Sequence, residues 1–182
     1  TAHPATPEGL FAHFDELLEH VSRLERAGLK AHAALGVHPK VLPRRGLRQV
    51  LDALPSYLRG GKVVAIGLLG LARATEAEED ALLAQLELAE RFQLPAIVSV
   101  PDANKEKVTR KLLATLKRAE LPASKIMVDG AVGKTVRAIR ELGFQAGLTL
   151  HPDHLTVEKA VTLVRALGPE RLILSSAAGR WE

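Results

Sequence analysis

The sequence predicts an α/β fold in which helices and buried parallel strands alternate through a single domain of residues 1–182. Short runs of Val, Ile, Leu and Ala indicate strands that are buried on both faces. Segments with apolar residues at helical spacing separate these runs, and strict alternation is typical of a parallel sheet with right-handed crossovers. Hydrophobic residues make up 47% of the chain but aromatic residues only 3%. The core is therefore expected to be aliphatic, as in barrels and helix-covered sheets.

Six helices are predicted, and three of them begin at capping residues. Thr6 followed by Pro7 opens the first helix, since threonine caps a helix and proline suits its first position. Thr75 to Glu78 has the pattern of a capping box, and Asn104 is predicted to cap the fourth helix. The predicted helices are Pro7 to the stop at Gly28, Leu47 to Leu58, Thr75 to about Phe92, Asn104 to about Glu120, Gly133 to Leu142, and Thr156 to Leu167.

Six strands alternate with these helices, and their carboxyl ends are expected to meet at one edge of the sheet. They are Lys30 to Val37, Lys62 to Leu68, Leu94 to Val100, Ser124 to Asp129, Phe144 to Leu150, and Arg171 to Ser175. A closed barrel needs about two more strands. The residues therefore leave two architectures open, a doubly wound open sheet or an incomplete barrel. In either case unpaired strand edges make self-association a further expectation.

Composition excludes several classes of site. The chain has no cysteine, which rules out disulfides, thiolate zinc sites and cysteine nucleophiles and fits a cytoplasmic protein. No apolar run reaches the roughly 18 residues of a membrane span, so no membrane partner is expected. The net charge of +4 favours anionic partners such as nucleic acid only weakly, because the basic residues are scattered along the chain and lack interleaved aromatics.

Several segments resemble one protein family, in the same order along the chain. Gly36 to Pro39 matches "GxHP", Val64 to Leu71 resembles "AIGEIGLD", Ala84 to Ser99 resembles "QLELAKELNLPVIVH", Val128 to Gly130 resembles "IDH", Gly143 to Thr149 resembles "GFWAGLT", and Gly168 to Ala177 resembles "GPERLLLNSD". These are segments of the TatD-related metal-dependent hydrolases, a branch of the amidohydrolase-like TIM barrels. The resemblance implies a TIM-barrel-type α/β fold, here an incomplete barrel of about six strands. It also implies that the family's first strand, with its His-x-His pair, would lie before Thr1.

The resemblance implies metal ligands at four positions where this chain has none. The family's bridging Glu falls on Leu68, its two later histidines on Ser99 and Gly130, and its catalytic Asp on Ala177. The His-x-His pair has no counterpart. These replacements predict that no metal is bound and that the hydrolase chemistry of the family is absent.

The remaining candidates are weaker, and each has a plain structural interpretation beside the functional one. His38 is an accessory position in the family and is interpreted either as a metal or phosphate contact or as a loop histidine bonded to backbone. His151 and His154, with Asp153 between them, form either a weak metal site or a solvated loop. Asp129 is the remaining acid near the former site, either a general base or a structural carboxylate. A role for Ser99 as a nucleophile is not supported, because the sequence supplies no base oriented against it and no recognisable nucleophile motif around it.

Three functional hypotheses follow from these residues. The first is a degenerate family member without metal catalysis, acting as a binding or scaffold protein. The second is an active phosphodiesterase or DNase-like hydrolase that holds zinc, manganese or magnesium through His38, Asp129, His151 and His154. The third is a basic module that binds anions or nucleic acid at helix N-termini.

Overall fold

The structure, a computed structural model, describes residues 5–101, 104–152 and 155–176. Its strands are β1 (Ala33–Leu35), β2 (Val63–Gly70), β3 (Ala96–Ser99), β4 (Ile126–Asp129), β5 (Gln145–Leu150) and β6 (Leu172–Ser176). Its α-helices are α1 (Pro7–Arg26), α2 (Leu47–Leu58), α3 (Glu76–Arg91), α4 (Lys105–Leu116), α5 (Gly133–Glu141) and α6 (Val157–Leu167).

The six strands form one sheet in which every neighbouring pair is parallel and the spatial order is the chain order, β1 to β6. A doubly wound sheet reverses its strand order at a switch point, and this sheet does not. Crossovers of one hand place successive helices on the same side of the sheet. The prediction of an incomplete TIM-barrel-type α/β fold of about six strands is therefore confirmed, and the doubly wound alternative is excluded.

The core lies between the sheet and the helices, and it is aliphatic as predicted. Ile66, Leu69, Val98, Val128 and Leu148 are almost completely buried. Adjacent side chains on a regular strand point to opposite faces, so Ser99, Asp129 and Thr149, which follow Val98, Val128 and Leu148 on β3, β4 and β5, face the concave side of the sheet. Within the described ranges, no helix is long and apolar enough to span a membrane.

Local capping explains where two of the helices begin. The Thr6 side chain accepts a hydrogen bond from the Gly9 amide, and Pro7 lies at the start of α1. At α3 the predicted capping box is present between Thr75 and Glu78. The Glu78 carboxylate also accepts hydrogen bonds from the amides of residues 72–74, which orders the loop after β2.

Several predictions at the ends of elements are wrong. The strand β1 is Ala33–Leu35, shorter than the predicted Lys30 to Val37, and α4 ends at Leu116, before the predicted end near Glu120. Asn104 precedes α4 but makes no capping bond with its side chain, because its backbone is left-handed with φ of 51°. The strand β2 does not end at Leu68 but continues to Gly70, since Leu69 is completely buried and pairs with Val98. Leu68 therefore lies inside the strand rather than after it.

Candidate functional site at the mouth of the sheet

A cavity of about 340 Å³ opens at the carboxyl ends of the strands. Residues from β2 through β6 line it, and we call it the mouth cavity. Its lining includes Leu68, Ile97, Ser99, Lys105, Met127, Asp129, Gly130, Thr149, His151 and Ser175. This is the end of a barrel where active sites form, because the loops that follow the strands converge there.

The structure brings together three of the four positions that the family resemblance singled out. Leu68, Ser99 and Gly130 all line the mouth cavity, although they are about 30 residues apart in sequence. Ala177, the fourth, lies outside the described residues. Of the three, only Ser99 offers a polar side-chain atom to the cavity.

The Ser99 hydroxyl is already engaged by the protein. It donates a hydrogen bond of 3.0 Å to the Leu69 carbonyl, and its oxygen lies 3.4 Å from His38 Nε2. His38 Nδ1 accepts a bond of 3.2 Å from the Lys40 amide, so in the neutral ring the proton is on Nε2. His38 is then a donor toward Ser99 and not a base, which removes the geometry that a serine nucleophile requires.

Gln85 of α3 fixes the backbone next to His38. Its side chain is 1% exposed, accepts a bond of 2.6 Å from the Val37 amide and donates one of 3.3 Å to the Val37 carbonyl. Sequence reasoning missed this residue. The available signal was its place among Ala81, Leu82, Leu86 and Ala89 on the buried face of the helix, where a polar residue needs partners.

On the opposite side of the cavity, three polar side chains form a hydrogen-bonded chain across β4, β5 and β6. The Thr149 hydroxyl donates to Asp129 Oδ1 and lies 3.1 Å from Ser175 Oγ. Because the single Thr149 proton goes to the carboxylate, the Ser175 hydroxyl is the donor to Thr149. We call this the Asp129–Thr149–Ser175 chain. It satisfies one oxygen of Asp129 from within the protein.

Glycines allow the strands to come close around Asp129. A Cβ on Gly147 would lie 2.6 Å from Asp129 Oδ1 and 3.0 Å from its Cα, so any side chain there would displace the carboxylate. Gly130 has φ of +73°, a backbone conformation that residues other than glycine adopt at a cost in free energy. Its carbonyl accepts a hydrogen bond of 3.1 Å from Lys105 Nζ.

His151 also lines the mouth cavity, and its amide donates to the Leu155 carbonyl at 3.1 Å. His154 and Asp153 lie outside the described residues. His38 lines a neighbouring cavity of about 370 Å³ under α1, and Leu68 lines both cavities. In residues 5–101, 104–152 and 155–176, no group of three or more histidine, aspartate or glutamate side chains is placed to hold a metal ion.

Sequence reasoning did not single out Thr149 or Lys105 as site residues. The signal for Thr149 was the alternation of side chains along a strand. Thr149 lies two residues after Gly147 and therefore shares its face of β5. The link to Asp129 depends on which strands are neighbours, and the register places Thr149 opposite Ser175. The alternation of side chains along one strand does not by itself give that register between strands.

Comparisons with known proteins agree with the fold. The family model described as TatD related DNase matches residues 9–176. An uncharacterized metal-dependent hydrolase of Methanocaldococcus jannaschii is 34% identical over 177 residues, which is 96% of this chain and 69% of that protein. The uncharacterized metal-dependent hydrolase YjjV of Escherichia coli is 34% identical over 155 residues, or 80% of this chain and 54% of that protein.

A solved structure is similar over the same range. The crystal structure of a TatD-like protein from Archaeoglobus fulgidus matches with a TM-score of 0.77 and 35% identity, covering 94% of this chain and 69% of that one. This chain thus spans between about half and about two thirds of the length of these relatives. Family model, sequence relatives and structure agree, and the chain belongs to the TatD-related family of metal-dependent hydrolases.

Proposed function

We propose that this chain is a non-catalytic member of its family, in which the mouth cavity serves as a binding or scaffold surface instead of a metal centre. The observation that carries the proposal is the lining of that cavity. Leu68, Ser99 and Gly130 lie where the family's ligands are expected, and together they supply one hydroxyl, which is already bonded to the Leu69 carbonyl.

The chemistry of the donors supports this proposal. Zinc in a catalytic site is held by three protein ligands. Hydrolysis by one or two metal ions needs such ligands, because they hold the ions that activate water. Asp129 is the acid in the described lining of the mouth cavity, and one of its oxygens is bonded to Thr149. The described residues at this cavity therefore do not fit a metal centre of the family's kind.

A specific observation keeps one alternative open as a second candidate function. Asp129 and His151 line the same cavity, and His154 is close to His151 in sequence. A metal-dependent phosphodiesterase that uses these residues with His38 is the competing proposal. It requires His38, which is bonded to Ser99 and lines the neighbouring cavity, to turn toward the mouth cavity.

Metal analysis combined with an activity assay distinguishes the non-catalytic proposal from the metal-dependent phosphodiesterase. The purified chain is dialysed against zinc, manganese or magnesium, its bound metal is measured by mass spectrometry, and hydrolysis of a bis-aryl phosphodiester and of single-stranded DNA is followed. We expect substoichiometric metal and no turnover. Stoichiometric metal with turnover that Asp129→Asn abolishes would overturn the proposal in favour of the hydrolase.

A gain-of-ligand variant tests the same point from the other direction. Leu68→Glu, Ser99→His and Gly130→His together place three donors around the cavity, and we expect this variant to bind zinc where the parent does not. The matched control combines Leu68→Gln, Ser99→Asn and Gly130→Asn, which are of similar size but poor zinc ligands. Equal zinc binding by the parent and the triple variant would contradict the assignment of these three positions.

A further inference from the structure

Three basic side chains meet at the amino ends of β2, β3 and β4, which is the end of the sheet opposite the mouth cavity. Arg59 follows α2, Arg91 lies in the last turn of α3, and Lys125 directly precedes β4. The guanidinium carbons of Arg59 and Arg91 lie 5.9 Å and 5.6 Å from the centroid of the Phe92 ring. Lys125 Nζ donates hydrogen bonds of 3.1 Å and 3.3 Å to the side-chain oxygen and the carbonyl of Gln93. We call these residues the amino-end cluster.

The amino-end cluster belongs to the middle of the sheet and not to either edge. The strands β2, β3 and β4 each pair with a neighbour on both sides, and the connections that carry the cluster lead into these strands. The negative end of the α3 dipole favours a cation at Arg91. That dipole does not explain why Arg59, from the end of a different helix, lies over the same ring. The arrangement is therefore a feature of how the inner elements pack.

Each cation of the cluster has only neutral partners among the described residues. Arg59 and Arg91 contact the Phe92 ring, and Lys125 bonds to amide oxygens. Glu90, the acid beside Arg91 in sequence, forms an ion pair with neither arginine in the described structure. Other basic side chains of the chain do pair with carboxylates. Like charges that are held together without a counter-charge favour an anionic partner.

We propose that the amino-end cluster binds an acidic segment of a partner protein, with carboxylates at alternate residues lying against Arg59, Arg91 and Lys125. Neighbouring strands are about 4.8 Å apart, so the connections into β2 and β4 are separated by about 10 Å. Side chains on one face of an extended peptide recur about every 6.6 Å. Two or three such carboxylates therefore span the cluster.

The Phe92 ring prepares both arginines for this contact. A guanidinium that already lies over an aromatic ring has less rotational freedom to lose when it binds, and the smaller entropy loss strengthens binding. Its N–H groups are arranged to take a carboxylate through two hydrogen bonds. Arg59 and Arg91 are both exposed, so a carboxylate can reach them from solvent.

The chemistry of the cluster favours a peptide over a nucleic acid strand. Proteins that bind single strands offer open aromatic faces on which bases stack. Phe92 is the aromatic residue of the cluster, but it is half-buried and its ring is already engaged by two guanidiniums. The inference does not depend on whether the mouth cavity binds metal, because the cluster lies at the other end of the strands.

Fluorescence anisotropy with a labelled peptide of four Glu-Ser repeats tests the proposal in the 182-residue chain. At about 50 mM salt, where charges are weakly screened, we expect saturable binding, and a peptide of four Gln-Ser repeats should not bind. Replacing both arginines, Arg59→Gln with Arg91→Gln, should raise the dissociation constant at least about tenfold. The matched control, Arg44→Gln with Arg45→Gln, removes the same charge from exposed positions after β1, at the mouth end. It should change the dissociation constant by less than about twofold.

A second variant tests the part played by the ring. Phe92→Leu keeps an apolar side chain but removes the surface that holds the guanidiniums, and we expect the dissociation constant to rise about threefold. Binding is measured well below the melting transitions of both proteins, which circular dichroism locates, so a change in stability does not affect the result. An unchanged dissociation constant would contradict the role given to Phe92.

Three outcomes would overturn the proposal as a whole. The first is no binding of the Glu-Ser peptide by the parent chain. The second is an equal loss of binding in the Arg59 and Arg91 double variant and in its matched control. The third is tighter binding of single-stranded oligodeoxythymidylate than of the peptide at the same salt concentration, which would assign the cluster to nucleic acid instead.

Discussion

The two sides of the mouth cavity differ in how their polar groups are satisfied. On the β2–β3 side, Leu68 and Ile97 present apolar side chains, and Ser99 is the polar residue between them. On the β4–β6 side, Asp129, Thr149 and Ser175 form a continuous hydrogen-bonded chain. The comparison teaches that the Asp129 carboxylate has a partner within the protein, because the Thr149 hydroxyl donates to one of its oxygens. Neighbouring hydroxyls supply the partner that a half-buried charge requires.

The largest effect is expected from closing the space beside Asp129. Gly147→Ala would put a Cβ 3.0 Å from the Asp129 Cα, so β4 and β5 must separate. We expect a loss of about 3 kcal/mol in the free energy of unfolding, measured by urea denaturation. Gly133→Ala at the start of α5 is the control, since its nearest contact would be 3.5 Å from a flexible Leu163 methyl. Equal effects of the two variants would show that the β4–β6 side is not closely packed.

The next largest effect concerns the support of the β2–β3 side. Gln85→Leu keeps the volume but leaves the Val37 amide and carbonyl without their buried partner, and we expect a loss of about 2 kcal/mol. Glu87→Leu, on the exposed face of the same helix, should change stability by less than about 0.5 kcal/mol. Amide hydrogen exchange at Val37 gives an independent measurement, and unchanged protection there would contradict the role assigned to Gln85.

Breaking the Asp129–Thr149–Ser175 chain tests the polar side directly. Thr149→Val removes the donor to Asp129 and the acceptor for Ser175, and we expect a loss of about 1.5 kcal/mol. In a double-mutant cycle with Ser175→Ala the two losses should be less than additive, because both variants remove the same bond. Thr162→Val on the exposed face of α6 is the control. Full additivity would mean that the two hydroxyls do not interact.

The smallest effect is expected at Ser99. Ser99→Ala removes one hydrogen bond to the Leu69 carbonyl and a long contact with His38, and we expect a loss of about 0.5 kcal/mol. The contrast between the two sides is measured as the difference between the losses in free energy of unfolding of Ser99→Ala and Thr149→Val, both determined in the same denaturant series. If Ser99→Ala lowers the free energy of unfolding as much as Thr149→Val does, the two sides do not differ as described.

Much of the fold was predictable because it depends on local chemistry. The bounds of α2 agree with the prediction from apolar spacing, and the capping box at Thr75 and Glu78 is present. The end of β2 was not predictable in the same way. Leu69 and Gly70 belong to the strand because β3 pairs with them, and pairing of segments far apart in sequence has no local signal.

The site was predictable in position but not in detail. The family resemblance placed Leu68, Ser99 and Gly130 at one mouth, and the structure brings them to one cavity. The roles of Gln85 and Thr149 were not visible, because each depends on a partner held in place by a different element. The candidate residues His154 and Ala177 lie outside the described residues, and their roles stay predictions.

By itself the sequence determined the alternation of helices and strands, the aliphatic core and the side chains at the ligand positions, because these follow from residue type and spacing. Only the tertiary structure decided that Asp129 is bonded through Thr149 to Ser175, that His38 donates toward Ser99, and that two arginines from the ends of different helices meet over the Phe92 ring. The reason is physical. Which side chains meet depends on strand order and register, and these are set by packing over the whole sheet.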